Sequence, residues 1–307
     1  MKNRYPVFIL MGFLLLATVY LYLSFRIASL EVMTSIRFPR FLLTYLTGFL
    51  LAGVGYSYQI MLNNPLAEPY ILGVSSGAAF GSILASVIGF HLLQPLFGFV
   101  GALVAMIMVW KLANLGGYFS STKLLLSGII LGMFFSALIS VIMYFHQRDI
   151  STIVSVLMGN LGHVFAVKEW AFFRGFSILS LMLMTFLFTL AEPLRILTTG
   201  DLMASSLGVD VRKLRLYVFL SGSLLTGFTV AYAGIIGFVG LIIPHLVRML
   251  IGGERRGNMA LAALLGGWFL LICDFIAQHI AVVEIPVGIV TAFIGCPFFI
   301  YLLSRNK

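Results

Sequence analysis

The chain has 307 residues, 61% of them hydrophobic and 9% charged, with 19 Lys and Arg against 10 Asp and Glu. Ordinary soluble domains carry about a quarter charged residues, so this composition excludes a water-soluble globular protein and indicates a chain dissolved in lipid. In lipid the net charge of +9 reads as membrane topology, and no nucleic-acid partner is expected.

A helix that crosses the hydrocarbon needs about 20 apolar residues and satisfies its own backbone. The chain therefore reads as all-α, a polytopic integral membrane protein of about ten transmembrane helices in a single membrane domain, residues 1–307. The apolar segments fall near 6–25, 40–61, 70–90, 95–112, 122–145, 167–190, 212–233, 235–251, 258–278 and 286–303. Pro6 to Phe25, after Lys2 and Arg4, outruns the 7–15-residue core of a signal peptide and lacks a small-x-small cleavage site, so it is read as a retained first span.

Before the second span stands Arg37-Phe38-Pro39-Arg40. Proline suits a first helical turn, but two arginines there would face the positive end of the helix dipole, so an acidic partner is expected. Snorkelling of both side chains to lipid phosphates is the alternative. Next, Asn63-Asn64-Pro65-Leu66-Ala67-Glu68-Pro69 forces a break at the cytoplasmic end of a span. The small-residue rows Gly73, Gly77, Gly81 and Gly128, Gly132 predict close helix packing. Ser120, Ser121 and Thr122 precede the 122–145 segment and read locally as a helix cap.

The longest polar connections are 146–168 and 191–211. In the second, Gly200-Asp201 can start a short helix that Gly208 ends, before Asp210 opens the next span. Leu202, Met203 and Leu207 on so short a helix suggest a docking knob for another protein, with a helix lying on the lipid surface as the alternative. Asp274 and Glu284 sit near the outer ends of their segments, close to water, where structural hydrogen bonding is favoured over a proton relay. Cys273 and Cys296 are too few for a disulfide framework and read as packing residues.

With the N-terminus cytoplasmic, thirteen of the 19 Lys and Arg fall inside, leaving Arg26, Arg37, Arg40, Arg148, Lys168 and Arg174 outside. Both termini are then cytoplasmic. The sequence has no Gly-Lys-Ser or Gly-Lys-Thr, no HExxH, and five scattered histidines, His91, His146, His163, His245 and His279. ATP hydrolysis, zinc catalysis, catalytic residues and a resident metal or cofactor are not expected.

From Arg37 onward the chain resembles the iron-chelate and vitamin B12 permease family, the membrane subunits of type II ABC importers. The matching blocks are Arg37-Phe38-Pro39-Arg40, Asn64-Pro65-Leu66-Ala67, Leu72-Gly73-Val74-Ser75-Ser76-Gly77-Ala78 and Leu207-Gly208-Val209. They continue with Gly237 to Arg248, Glu284-Ile285-Pro286-Val287-Gly288 and Gly295-Cys296-Pro297-Phe298-Phe299. The resemblance implies ten spans per subunit, a second permease subunit (identical or different), two cytoplasmic ABC ATPase subunits and an external substrate-binding protein. It places the assembly in the cytoplasmic membrane of a bacterium or archaeon.

It also implies that Arg37 and Arg40 dock acidic residues of the binding protein. Gly200, Asp201, Leu202, Met203, Ala204, Ser205, Ser206, Leu207 and Gly208 would form the coupling helix on the ATPase, and Ser120 and Ser121 would lie at the cytoplasmic gate. The cargo would be a metal chelate, a ferric siderophore foremost, with haem or cobalamin as further candidates, moved inward by alternating access. Two departures stand out: Gln278 and His279 follow Asp274-Phe275-Ile276-Ala277 where the vitamin B12 member carries a third docking arginine, and Val156-Leu157-Met158-Gly159 lacks the family's tryptophan. The rival expectation is a proton-coupled secondary transporter using Asp274 or Glu284.

Overall fold

The computed structural model describes residues 17–24, 29–115, 120–162, 165, 167–251 and 257–305. Most of the first expected span, together with Lys2, Arg4, Arg26, His163, Arg255, Arg256 and Lys307, lies outside them. Every regular element among the described residues is helical. In chain order these are α1 (17–24), α2 (Leu30–Met61), α3 (Val74–Val87), α4 (Gln94–Ala113), α5 (Ser121–Phe145), α6 (Ile150–Met158) and α7 (Val167–Thr189). There follow α8 (Ala191–Leu197), α9 (Asp201–Ser206), α10 (Val211–Ala233), α11 (Val239–Ile251), α12 (Asn258–His279) and α13 (Val287–Arg305).

Among the described residues six helices are long and apolar enough to cross a membrane, and three shorter apolar helices, α3, α11 and most of α13, accompany them. They coincide with the expected segments from the second to the tenth. One expectation fails: 146–168 is not simply a polar connection but holds α6, with Ile153 and Val156 buried. Nine residues fall well short of the roughly 20 needed to cross, so α6 has no signature in a span-length reading.

The start of the second span also differs from expectation. Its helix begins at Leu30, and Arg37-Phe38-Pro39-Arg40 lies inside it, its Arg37 ending a wide turn over Met33–Arg37 that the Phe38 N–H closes onto Met33 O. Pro39 lacks an N–H and crowds the preceding turn, which accounts for the widening. The arginines therefore do not face the positive end of a helix dipole.

A continuous apolar core runs from Leu43 to Val290, with α2 at its centre. Small residues bring backbones together there. A Cβ on Gly48 would stand 2.3 Å from Gly266 O of α12, and one on Gly55 2.0 Å from Gly240 O of α11. The two predicted glycine rows meet each other: a Cβ on Gly73 would stand 2.5 Å from Gly128 O, while Gly77 and Gly81 close on Gly101 and Phe97 of α4. Lipid offers no hydrophobic drive between helices, so such close van der Waals fit supplies much of the cohesion. Cys273 is buried as expected, but Cys296 is exposed on α13 and packs no core.

Candidate functional sites

Four places carry polar or exposed chemistry: a charge cluster around Arg40, a break between α10 and α11, a short exposed stub at α9 and an open apolar hollow. At the charge cluster α2 presents Arg40, whose side chain is 12% exposed, to Asp274 of α12, which is 1% exposed. Arg40 Nη2 donates to Asp274 Oδ1 at 2.9 Å and Nε to Oδ2 at 3.1 Å, while Nη1 donates to Glu284 Oε2 at 2.7 Å. This is the paired, planar geometry in which a guanidinium holds carboxylates best.

Asp274 Oδ2 also accepts from Gln278 Nε2 at 2.8 Å and from the Tyr22 hydroxyl of α1. The cluster thus ties α1, α2 and α12 together. Asp274 is buried rather than close to water, which corrects the expectation, whereas Glu284 is 54% exposed. Asp274 therefore acts as a structural hydrogen-bond hub.

Arg37 takes a different role. Its Nη1 lies 3.4 Å from Tyr22 O and 3.5 Å from Leu23 O, backbone carbonyls of the last described turn of α1. Gln278 turns inward onto Asp274, and His279 is exposed with Nδ1 2.8 Å from Phe275 O. Sequence reasoning missed both the pairing of Arg40 with Asp274 and the hub, because the partners are 234 residues apart.

Between α10 and α11 the chain is non-helical from Gly234 to Phe238. Exposed backbone donors are costly at membrane depth, and three of them are met from other parts of the chain. Ile235 N–H donates to Val156 O at 3.0 Å, Ile236 N–H to the Tyr70 hydroxyl at 3.1 Å, and Phe238 N–H to a Glu68 carboxylate oxygen. Nearby, Asn160 N–H reaches Ala233 O and Val287 N–H reaches Gly159 O. The Asn63 to Pro69 stretch is thus more than the tight turn its composition predicts. It breaks the chain after Met61, with Asn64 Oδ1 accepting from Leu66 N–H at 2.9 Å, and returns Glu68 and Tyr70 to cap the broken segment. These two residues were not among the expected site residues; a carboxylate inside an apolar context was the available signal.

The short helix between Gly200 and Gly208 forms as the sequence predicts. Gly200 and Gly208 adopt φ of 102° and 87°, left-handed values that favour glycine, and enclose α9. Ala204 is buried while Leu202, Met203 and Leu207 are 88%, 55% and 61% exposed. Ser205 and Ser206 return their hydroxyls to the helix carbonyls. Arg215 of α10 binds Asp201 through two bonds of 2.8 and 2.9 Å, so the stub is rigidly joined to the next span. Asp210 caps α10 by accepting from Lys213 N–H at 3.0 Å, and this bond, with the Lys213 ammonium beside it, holds its carboxyl below the usual range.

Ser120 occupies the N-cap of α5, yet its side chain makes no capping bond. The local cap reading is thereby corrected: the helix starts on backbone geometry and both hydroxyls, Ser120 and Ser121, stay partly exposed. A hollow of 720 Å³ opens between Leu157 and Met158 of α6, Phe238, and Ile289, Phe293 and Cys296 of α13. Its walls are almost wholly apolar. Among the described residues there is no group of three or more His, Cys, Asp or Glu able to hold a metal ion.

Comparison with known proteins fits this architecture. The FecCD transport family profile matches residues 6–305. The hemin transport system permease protein of Yersinia pestis is 34% identical, with 100% of this chain and 98% of that protein covered. The molybdate import system permease protein of Haemophilus influenzae is 37% identical over 90% of this chain and 82% of its own length. A solved inward-facing structure of a metal-chelate type ABC transporter superposes with a TM-score of 0.85 at 34% identity, covering 99% of this chain and 100% of that one. With its multi-span bundle, broken helices and exposed short stub, the chain belongs to the FecCD transport family, a multi-pass membrane permease subunit of the ABC transporter class.

Proposed function

We propose that this subunit carries a metal chelate, a ferric siderophore first among haem and cobalamin, into the cytoplasm by alternating access powered by separate ATPase subunits. The observation that carries this reading is α9: a rigid six-residue helix that offers Leu202, Met203 and Leu207 to a partner while Arg215 and Asp201 transmit its position to α10. Residues 200–208 would seat in the ATPase, with both termini on that side. The hollow beside α6 and α13 would be closed by a second permease subunit and form the path, with Ser120 and Ser121 at its inner end.

Burying a leucine is worth about 1.5–3 kcal/mol. Leu202→Asp is therefore expected to weaken ATPase association about tenfold or more and to reduce ATP-driven uptake in reconstituted vesicles in proportion, with the thermal midpoint of the permease unchanged. Uptake equal to wild type, or uptake driven by a proton gradient without the ATPase, would overturn the assignment.

On the outer face Arg37 and Arg40 would dock an acidic substrate-binding protein. Glu284 is the exposed one of Arg40's two counter-ions, so an incoming carboxylate competes with it. Exposed ion pairs are worth about 0.2–1 kcal/mol. Glu284→Gln is accordingly expected to tighten binding-protein association about two- to fivefold at low salt, an advantage that fades as salt is added. Surface plasmon resonance across a salt series measures it, and weaker binding by the variant would argue against docking at this arginine.

A further inference from the structure

A second feature lies on the outer face of the bundle, apart from the stub and the hollow and next to the charge cluster along α2, since Phe38 stands between Arg37 and Arg40. Between α2 and α7 runs a groove of 540 Å³, a volume typical of small-ligand sites at about 300–1,000 Å³. One wall is Phe38, Leu42, Tyr45, Leu46 and Phe49 at helical spacing; the other includes Trp170, Arg174, Ser177 and Leu181, also at helical spacing. Both walls begin at the outer ends of their helices, so the groove descends from the outer interface into the hydrocarbon.

Two polar groups in it are unsatisfied. Arg174 is exposed within a membrane-spanning helix and has no ion-pair or hydrogen-bond partner among the described residues. The Ser177 hydroxyl, one turn deeper, is shielded from water and also lacks a partner. A cation at this level is costly unless an anion meets it. Around it, Phe172, Ile178, Leu179 and Met182 face outward, as on a lipid-facing helix. Trp170, at the mouth, is the residue type that settles at the headgroup level.

We propose that this groove binds an anionic phospholipid of the outer leaflet, its phosphate on Arg174 with Ser177 donating beneath it, and one acyl chain lying along Tyr45, Phe49 and Leu181. Charge decides the occupant. A second copy of the chain would bring to this level an apolar, lipid-facing surface such as Phe172, Ile178, Leu179 and Met182, whereas a phosphodiester brings the missing negative charge at the right depth. The apolar walls then take up the chain at no polar cost.

The test is native mass spectrometry of the full-length protein in nanodiscs of phosphatidylcholine with or without phosphatidylglycerol, read alongside its thermal midpoint. Wild type is expected to retain one phosphatidylglycerol through delipidation and to melt higher in its presence. Arg174→Gln is expected to lose about fivefold of that retention, in line with the contribution of one basic residue to anionic-lipid binding, and Arg174→Lys to restore most of it. Leu181→Trp, which fills the groove and leaves the charge, is expected to lose the lipid as well. Equal retention by wild type and Arg174→Gln, equal retention of phosphatidylcholine, or efficient disulfide cross-linking of Leu181→Cys between two copies would each overturn the proposal.

Discussion

Replacing Gly55 with leucine is expected to remove most folded protein from the membrane. Any Cβ at this position would meet the backbone of Gly240, with O at 2.0 Å and both C and Cα at 2.6 Å. No side chain on the far wall can rotate away, so α2 and α11 must separate. Separation would also stretch the bond from Gln59 Nε2 to Gly240 O, 3.2 Å, and pull Gln59 from Arg248 one turn and two turns along. Overpacking costs about 1–3 kcal/mol where side chains can adjust, and more where backbone meets backbone. Against a total stability of about 5–15 kcal/mol that is a large fraction. The yield and thermal midpoint of detergent-extracted protein measure it. Gly175→Leu is the control, since nothing lies within 4 Å of a Cβ there; if both variants extract and melt alike, close backbone packing is not what holds these helices.

The second large effect is expected at Asp274. Changing it to asparagine keeps the shape but leaves Arg40, 12% exposed, with only Glu284 to balance it. It also turns an acceptor for Tyr22 and Gln278 into a group that competes with their donors. Breaking one side of a buried pair costs about 3–5 kcal/mol, while replacing both sides by apolar residues of similar size is often neutral. Asp274→Asn alone should therefore lower the thermal midpoint strongly, and Arg40→Met with Asp274→Leu should recover much of the loss. A double-mutant cycle separates this coupling from docking, because the binding protein is absent from the melt. If the single variant melts within a degree or two of wild type, Asp274 is not the hub that its bonds with Tyr22, Arg40, Thr44 and Gln278 suggest.

This cluster also changes what Arg40 can do outside. The resemblance implies that its charge awaits an external acid, but much of that charge is already spent on Asp274. What remains available is the Glu284 side of the guanidinium together with Arg37, whose contacts to Tyr22 O and Leu23 O are long at 3.4 and 3.5 Å. Of Gln278 and His279, the two residues where the resemblance implies a third arginine, Gln278 is spent inward as well, while His279 stays exposed. Any docking face here is thus weaker in charge than a count of arginines indicates, which is why Glu284 is the informative substitution.

Local chemistry was enough for much of the architecture. Apolar runs of about 20 residues specify spans because lipid requires each to satisfy its own backbone, and Gly200, Asp201, Gly208 and Asp210 bound the stub because caps and left-handed turns are decided by neighbours in sequence. The glycine rows announced tight packing for the same reason, although not which rows would meet. Only tertiary structure could choose Asp274 and Glu284 as partners of Arg40, Glu68 and Tyr70 as caps for Ile236 and Phe238, and α6 as a helix that does not cross. Each depends on groups brought together across 100 residues or more, or on burial that nine residues acquire only when others cover them. Periodicity reports which face of a helix is apolar, and the packed bundle alone selects what that face meets.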